Sequence, residues 1–217
     1  MSQAMLALLG DSLVETLWMV GASIGFAILA GVPLGIVLAT TAPGGVIQNG
    51  AVHRVLGAIV NATRSTPFII LMVAIIPLTR LVAGTSIGTT AAIVPLALAA
   101  APFLGRLVES SLREVDRGLI EAAQAMGATP LQIVRKVLLP EALPGIVAGV
   151  TITIVSLIGY SAMAGAVGGG GLGDLGIRYG YQRFNAEVML AVVVVLIVLV
   201  QVVQSAGDHL VRRLNKK

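Results

Sequence analysis

The run VMLAVVVVLIVLVQVVQSA at residues 188–206 contains no charged side chain. Its β-branched centre is typical of a strand in water, but its length is that of a membrane span, about 20 apolar residues. Inside a bilayer, a single segment satisfies its own backbone hydrogen bonds only as an α-helix. The run therefore predicts a transmembrane helix, and with it an integral membrane protein.

The composition of the rest of the chain agrees with this prediction. Of the 217 residues, 57% are hydrophobic and 11% are charged, and the mean hydropathy is +0.98. A soluble domain carries about 25% charged residues, which keep its surface in water. We therefore predict an all-α polytopic membrane protein with one transmembrane domain over residues 1–217.

The stretches with few charged residues predict five spans. They are Thr16–Thr40, residues 55–80, Thr89–Leu107, residues 142–173 and Val188–Ala206, of which the second includes Arg64 and Arg80 and the third includes Arg106. The second interval is too short between Arg64 and Arg80 alone, so its helix must extend back toward Val55 or Asn61.

Basic residues are distributed unequally between the two sides of these spans. One side carries Arg54, Arg113, Arg117, Arg135, Lys136, Arg212, Arg213, Lys216 and Lys217, and the other carries Arg80, Arg178 and Arg183. Because cytoplasmic flanks collect Lys and Arg, we predict the N-terminus outside and the C-terminus in the cytoplasm. The N-terminal region carries Asp11 and Glu15 and no basic residue, so we expect no cleavable signal peptide.

The residue types exclude several classes of function. The chain has no cysteine and only two histidines, His53 and His209, so we expect neither a disulfide nor a metal site. Lysine occurs only at positions 136, 216 and 217, so the chain has no P-loop for ATP hydrolysis. Aromatic residues are 4% of the chain, too few for a base-stacking surface, so we expect no nucleic acid partner.

Two further patterns match enzyme motifs by letters alone. Residues 171–176 fit the G-x-G-x-x-G dinucleotide pattern, but they follow a membrane helix instead of a strand. Ser161, in Gly-Tyr-Ser, raises the alternative of an intramembrane serine protease, but both histidines are predicted at the cytoplasmic side, beyond its reach. The Gly-rich segment 168–176 fits either an outer surface for docking or gating, or a flexible connection.

The long polar connection that faces the cytoplasm, residues 113–144, has the signals of two short helices. Asp116 is placed to cap the first helix, and Gly127 to end it in the left-handed conformation. Residues 129–132, Thr-Pro-Leu-Gln, form a capping box with proline at the first helical position. Pro140 and Pro144 are expected to end the second helix. The loop thus predicts two helices joined at a glycine hinge.

Within this loop stand EAAQAMG at residues 121–127 and VLLP at residues 137–140. The pattern resembles the EAA motif of ABC importer permeases, in which EAA, three residues, Gly and nine residues precede Ile-x-Leu-Pro. The departure is Val137 in place of isoleucine. The segments RSTPFIILMVAIIP (64–77) and GYSAMAGAVGGGGLGDLGIRYGY (159–181) extend the similarity, which is to the membrane subunits of bacterial methionine importers.

This resemblance implies a multi-pass permease of the bacterial inner membrane that imports methionine by alternating access. The implied partners are a second copy of the chain, two cytoplasmic ABC ATPase subunits that bind ATP and magnesium, an extracytoplasmic substrate-binding protein, and membrane lipid. The chain itself would bind no cofactor and would not be an enzyme. A permease for another small amino acid or a related sulfur compound is the alternative. Outside transporters, the alternative is a small channel or a bundle-forming structural protein, neither of which would need an ATPase.

The resemblance also implies which residues couple the chain to its ATPase. They are Glu121, Ala122, Ala123, Gly127, Val137, Leu139 and Pro140. Glu121 would fix the register by a polar contact, and the small alanine faces, including Ala125, would permit close approach.

Two groups of side chains remain as candidates within the spans. Tyr160, Ser161 and Met163 lie on the outer half of the fourth span and are candidates to line the pathway, with Met163 as an adaptable apolar gate. Asn61 and Arg64 are polar groups near the cytoplasmic end of the second span. Ordinary helix packing is the alternative for the first group, and snorkelling to lipid phosphate for Arg64.

Overall fold

The computed structural model describes residues 3–215, so Met1, Ser2, Lys216 and Lys217, two of them counted in the charge asymmetry above, lie outside the described residues. Within that range the chain is built from helices and contains no strand, which confirms the all-α prediction. The α-helices are α1 (Gln3–Thr41), α2 (Gly50–Ser65), α3 (Phe68–Ala74), α4 (Ile76–Ala83), α5 (Thr89–Arg113), α6 (Arg117–Ala125), α7 (Pro130–Ile133), α8 (Leu139–Gly165), α9 (Gly171–Leu175) and α10 (Ala186–Leu214). Two π-helical segments, Val134–Leu138 and Gly176–Tyr181, follow α7 and α9.

Four of the described helical stretches are long and apolar enough to cross a membrane. They are α1, α5, the continuous stretch Pro130–Gly165, and α10. A fifth crossing exists if α2 and α3, which are bent by 104° relative to one another, count as one span. The prediction of five spans therefore holds with one of them broken, and the helix predicted to begin at Thr16 begins at Gln3.

The second span was wrongly predicted as one continuous helix. α2 ends at Ser65, where Thr66 takes an extended conformation (φ −85°, ψ 124°) before Pro67. Proline disfavours the helical conformation in the residue before it and has no N–H to continue the ladder. A second break follows at Ile75, and Pro77 lies in the first turn of α4. Two prolines thus divide the span into three helices.

The prediction that Pro140 and Pro144 end the second loop helix was also wrong. The helix that starts at Pro130 runs through the π-helical segment Val134–Leu138 into α8 without interruption. Leu139 N–H donates to the carbonyl of Val134, five residues back, instead of four. This wider turn lies directly before Pro140, whose missing N–H and ring conflict with the normal α-helical ladder. The second helix of the polar loop 113–144 is therefore continuous with the fourth span.

Close packing of α1 on α5 organises the core. Built at Gly31, a Cβ atom would lie 2.6 Å from the carbonyl oxygen of Ala101, and at Gly35 it would lie 2.5 Å from that of Gly105. Backbones approach this closely only where no side chain intervenes. Around this contact, one large buried cluster draws side chains from the spans and the loop helices alike, Leu104, Leu112 and Ile133 among them.

The Gly-rich segment after α8 folds back into the bundle as α9. Leu172 and Leu175 are buried, and two side chains of α1 hold the turn that precedes them. Glu15 Oε2 accepts from Gly171 N–H at 2.7 Å, and Thr16 Oγ1 accepts from Leu172 N–H at 2.9 Å. The segment is therefore packed into the bundle and is not a flexible connection, while its role in docking or gating stays a prediction.

Candidate functional site: the coupling loop and the polar side chains of the spans

The first loop helix, α6, has the ends that its sequence predicts. Asp116 Oδ1 accepts from Gly118 N–H at 2.6 Å at its start. At its end Gly127 has φ +79°, and its N–H donates to the carbonyl of Gln124. Ala128 N–H donates to the carbonyl of Ala123, so the carbonyls of the last turn are satisfied. The predicted left-handed glycine at the end of the first loop helix is confirmed, and its role as a hinge stays a prediction.

The second loop helix starts at the predicted capping box. Thr129 Oγ1 accepts from Gln132 N–H at 3.4 Å, and Gln132 Oε1 accepts from Thr129 N–H at 2.8 Å. Pro130 occupies the first helical position. Because both hydrogen bonds and the proline lie within four consecutive residues, the start of this helix is determined locally.

α6 presents most of its surface outward. Glu121, Ala122, Ala125 and Met126 are exposed, and 82% of the Met126 surface is open. Ala123 is 4% exposed and packs into the core of its own chain. Two of the three alanines are therefore open to a partner, whereas Ala123 fixes the helix to the bundle beneath it.

The second half of the motif lies under this exposed helix. Val137 and Leu139 are half-buried against the main cluster, and Pro140 is exposed. Val137 lies in the π-helical segment and Leu139 in α8, so both belong to the helical stretch that continues into the fourth span. The motif thus combines an exposed helix, a left-handed glycine and a stretch packed against the main cluster.

The three pathway candidates of α8 differ in burial and in the contacts they make. Ser161 is 2% exposed and its hydroxyl donates to the carbonyl of Ile158 at 2.8 Å. Tyr160 stacks on Phe68, with ring centroids 4.8 Å apart and planes inclined by 6°. Met163 is 48% exposed, so it is the member of this group with the most open surface.

The geometry does not support the protease alternative. The Ser161 hydroxyl is bonded within its own helix. Nδ1 of His53 lies 3.1 Å from the carbonyl oxygen of Leu38 in a different part of the chain. Nucleophilic catalysis by serine needs a base within hydrogen-bond reach, and the described contacts of Ser161 include none.

Asn61 and Arg64 contact α5 from the last turns of α2. Arg106 Nη2 donates to Asn61 Oδ1 at 3.4 Å, and Arg64 Cζ lies 5.9 Å from the centroid of the Phe103 ring. These contacts connect the broken second span to α5. Both candidate side chains are exposed but touch α5 on one side, so Arg64 has a protein neighbour in addition to the lipid phosphate considered above.

Glu109 is a charged residue of the core that was not predicted from the sequence. It is 1% exposed and pairs with Arg106 at 2.5 Å, while Arg113 lies 3.6 Å from its other oxygen. A buried carboxylate is costly unless it is paired. The spacing of these residues, three and four apart on one helix, was the available signal.

No three His, Asp or Glu side chains among residues 3–215 are grouped so that they could hold a metal ion. The described residues form a bundle of long apolar helices with an exposed polar loop.

Comparison with known proteins agrees with this description. The family model of the binding-protein-dependent transport system inner membrane component matches residues 31–216. The chain belongs to this family.

Individual members of the transport family are similar over three quarters of the chain or more. The probable D-methionine transport system permease protein MetI of Vibrio cholerae is 60% identical, over 94% of this chain and 90% of that protein. The D-methionine transport system permease protein MetI of Escherichia coli K12 is 56% identical over 76% of each chain. A solved structure of the MetNI methionine ABC transporter in an inward-facing conformation contains a chain that matches with a TM-score of 0.98 at 55% identity, over all of both chains.

Proposed function

We propose that this chain is the membrane permease subunit of an ATP-driven importer of methionine. The observation that carries the proposal is the match over the full length of both chains, at 55% identity, to a chain of the MetNI methionine transporter. The MetI permeases of several bacteria, which are named for D-methionine, support the same substrate. A different small amino acid or a related sulfur compound is the alternative substrate.

In our proposal, partner subunits supply the energy for transport. The chain has no P-loop lysine, so ATP and magnesium are bound and ATP is hydrolysed by two cytoplasmic ABC ATPase subunits. The exposed helix α6 is the docking element, with Glu121, Ala122 and Met126 toward the ATPase. Two copies of the chain form the translocation unit.

Alternating access follows from the continuity of the loop with the spans. When the ATPases close on ATP, α6 moves with them, and the displacement passes through the Gly127 hinge and the packed Ala123 to the helix that begins at Pro130. Because that helix continues to Gly165, motion at the loop reaches the outer half of α8, where Met163 is exposed. Hydrolysis of ATP reverses the movement.

Transport into the cell requires a defined orientation of the chain across the membrane. We place the N-terminus outside and the C-terminus in the cytoplasm, so that the loop faces the ATPases and α9 faces the extracytoplasmic binding protein. In this orientation Arg178 and Arg183 lie at the outer side, and the basic end of α10 meets the anionic lipid of the inner leaflet.

Uptake in cells tests this proposal. Cells that lack this gene and every other methionine importer are given the wild-type chain, and the entry of radiolabelled L- and D-methionine is measured with and without the partner ATPase gene. The proposal predicts uptake that needs both genes and that competes with unlabelled methionine. Uptake that persists without the ATPase would contradict ATP coupling, and restored uptake of another amino acid alone would contradict methionine as the substrate.

A further inference from the structure

A small cavity opens where the second span is broken. It lies between the last turn of α2, the start of α3, the middle of α5 and the outer half of α8, and its volume is about 130 Å³. Its lining includes Arg64, Phe68, Leu71, Phe103 and Tyr160.

The depth of the cavity is that of a transport site. Its α5 residues, Ala99 and Phe103, flank the midpoint of that 25-residue helix. The break at Thr66 and Pro67 leaves non-helical backbone beside it, which is tolerated at membrane depth only where it is buried or lines a cavity. Broken spans near the bilayer midplane are typical of substrate sites in transporters.

A cation stands at the edge of this cavity. Arg64 is exposed, and among residues 3–215 the described ion pairs do not involve its guanidinium, which lies over the Phe103 ring. A charge within a span is costly, so its retention there favours a role in binding. A guanidinium presents paired donors whose geometry matches a carboxylate.

The remaining walls combine three aromatic rings with smaller side chains. Phe68 and Tyr160 form a parallel stack, and Phe103 and Leu71 add further apolar surface. The hydroxyls of Thr63 and Thr66, which also line the cavity, donate to carbonyls of α2. Thioether sulfur makes favourable contacts with aromatic rings, and an unbranched side chain adapts to an irregular apolar gap. One cation beside aromatic walls is complementary to an amino acid whose side chain is a thioether.

We propose that this cavity is a transient subsite for a zwitterionic thioether amino acid, with its α-carboxylate on Arg64 and its methylthio group against Phe103 and Tyr160. The proposal rests on the proposed function, because it assumes that methionine passes through this chain. It adds a selective step within the membrane to any selection made by a binding protein.

Protection of a cysteine tests the subsite directly, since the natural chain has none. The variant Thr63→Cys places a thiol in the lining, and Val55→Cys places one on an exposed position of the same helix, outside the cavity. The permease–ATPase complex in detergent is treated with maleimide with and without 10 mM L-methionine, and modification of this chain is followed by mass spectrometry.

The subsite predicts that methionine slows labelling at position 63 at least about threefold and leaves position 55 unchanged, and that Arg64→Gln abolishes this protection. In proteoliposomes, Arg64→Gln should reduce ATP-driven methionine uptake about tenfold, Arg64→Lys less, and the exposed control Arg54→Gln not at all. Equal labelling with and without methionine, or normal uptake by Arg64→Gln, overturns the subsite. Because wild-type uptake is measured in the same vesicles, its absence identifies instead a failure of the proposed function.

Discussion

Gly35 illustrates how a single missing side chain sets the distance between two spans. A Cβ atom there would lie 2.5 Å from the backbone oxygen of Gly105 and 2.6 Å from Cβ of Val108. Gly35→Ala should therefore lower the stability of the folded chain by roughly 1–3 kcal/mol through overpacking. Thermal unfolding of the detergent-solubilised protein measures the effect. Gly25→Ala, on the same helix with open space around its Cβ, is the matched control and should not lower the midpoint.

At Gly127, glycine is required by the backbone conformation and not by close packing. Its φ of +79° and its N–H bond to Gln124 both exclude proline, so Gly127→Pro should keep membrane insertion and abolish transport. Gly127→Ala should be milder, with a strain of roughly 1–2 kcal/mol. Gly44 has φ +78° and open surroundings outside the loop, so Gly44→Ala is the control for strain alone. Equal uptake by the Gly127→Pro variant and the wild type would refute the hinge.

Residues whose roles depend on near neighbours in sequence were predicted from the sequence. Asp116 and Thr129 cap helices because their partners lie two and three residues away. Glu109 and the contact of Arg64 with Phe103 were not predicted, because burial and ring contacts depend on how distant segments pack. The inward orientation of Ala123 depends in the same way on the cluster beneath it.

At the scale of elements, α9 depends on α1 for its first hydrogen bonds. Thr16→Val would leave the buried N–H of Leu172 without its acceptor, a loss of about 1–3 kcal/mol that falls on this segment. Hydrogen exchange measured by mass spectrometry should therefore become faster over residues 170–176. Thr63→Val removes a hydroxyl that bonds only within its own helix, and exchange over 170–176 should then be unchanged. No change with Thr16→Val would show that α9 is held by packing alone.

The differences between prediction and structure at this scale were caused by proline. Pro67 breaks a span that is continuous by hydropathy alone. At Pro140 the helix continues, because a π-helical turn directly before it accommodates the proline. The sequence contains both residues, but whether a helix breaks or widens depends on the packing on either side. Span number was therefore predictable from length and charge, and the geometry of the second and fourth spans was not.

For the whole molecule, the predicted orientation is testable because the chain has no cysteine. Met126→Cys and Phe184→Cys place single thiols on side chains that are 82% and 89% exposed, at the loop and before α10. A membrane-impermeant maleimide should label position 184 in intact spheroplasts and position 126 only after permeabilisation. The opposite pattern would reverse the orientation and separate the loop from any cytoplasmic ATPase.

The central claim is that this chain moves methionine only when a partner ATPase moves its loop. The most direct measurement is methionine uptake into proteoliposomes that contain the permease, its ATPase and the binding protein, with ATP or a non-hydrolysable analogue at the ATPase side. We predict uptake against a gradient with ATP, none with the analogue, and ATP hydrolysis without uptake for the Gly127→Pro complex. Methionine entry that is equal with and without ATP hydrolysis would contradict the account.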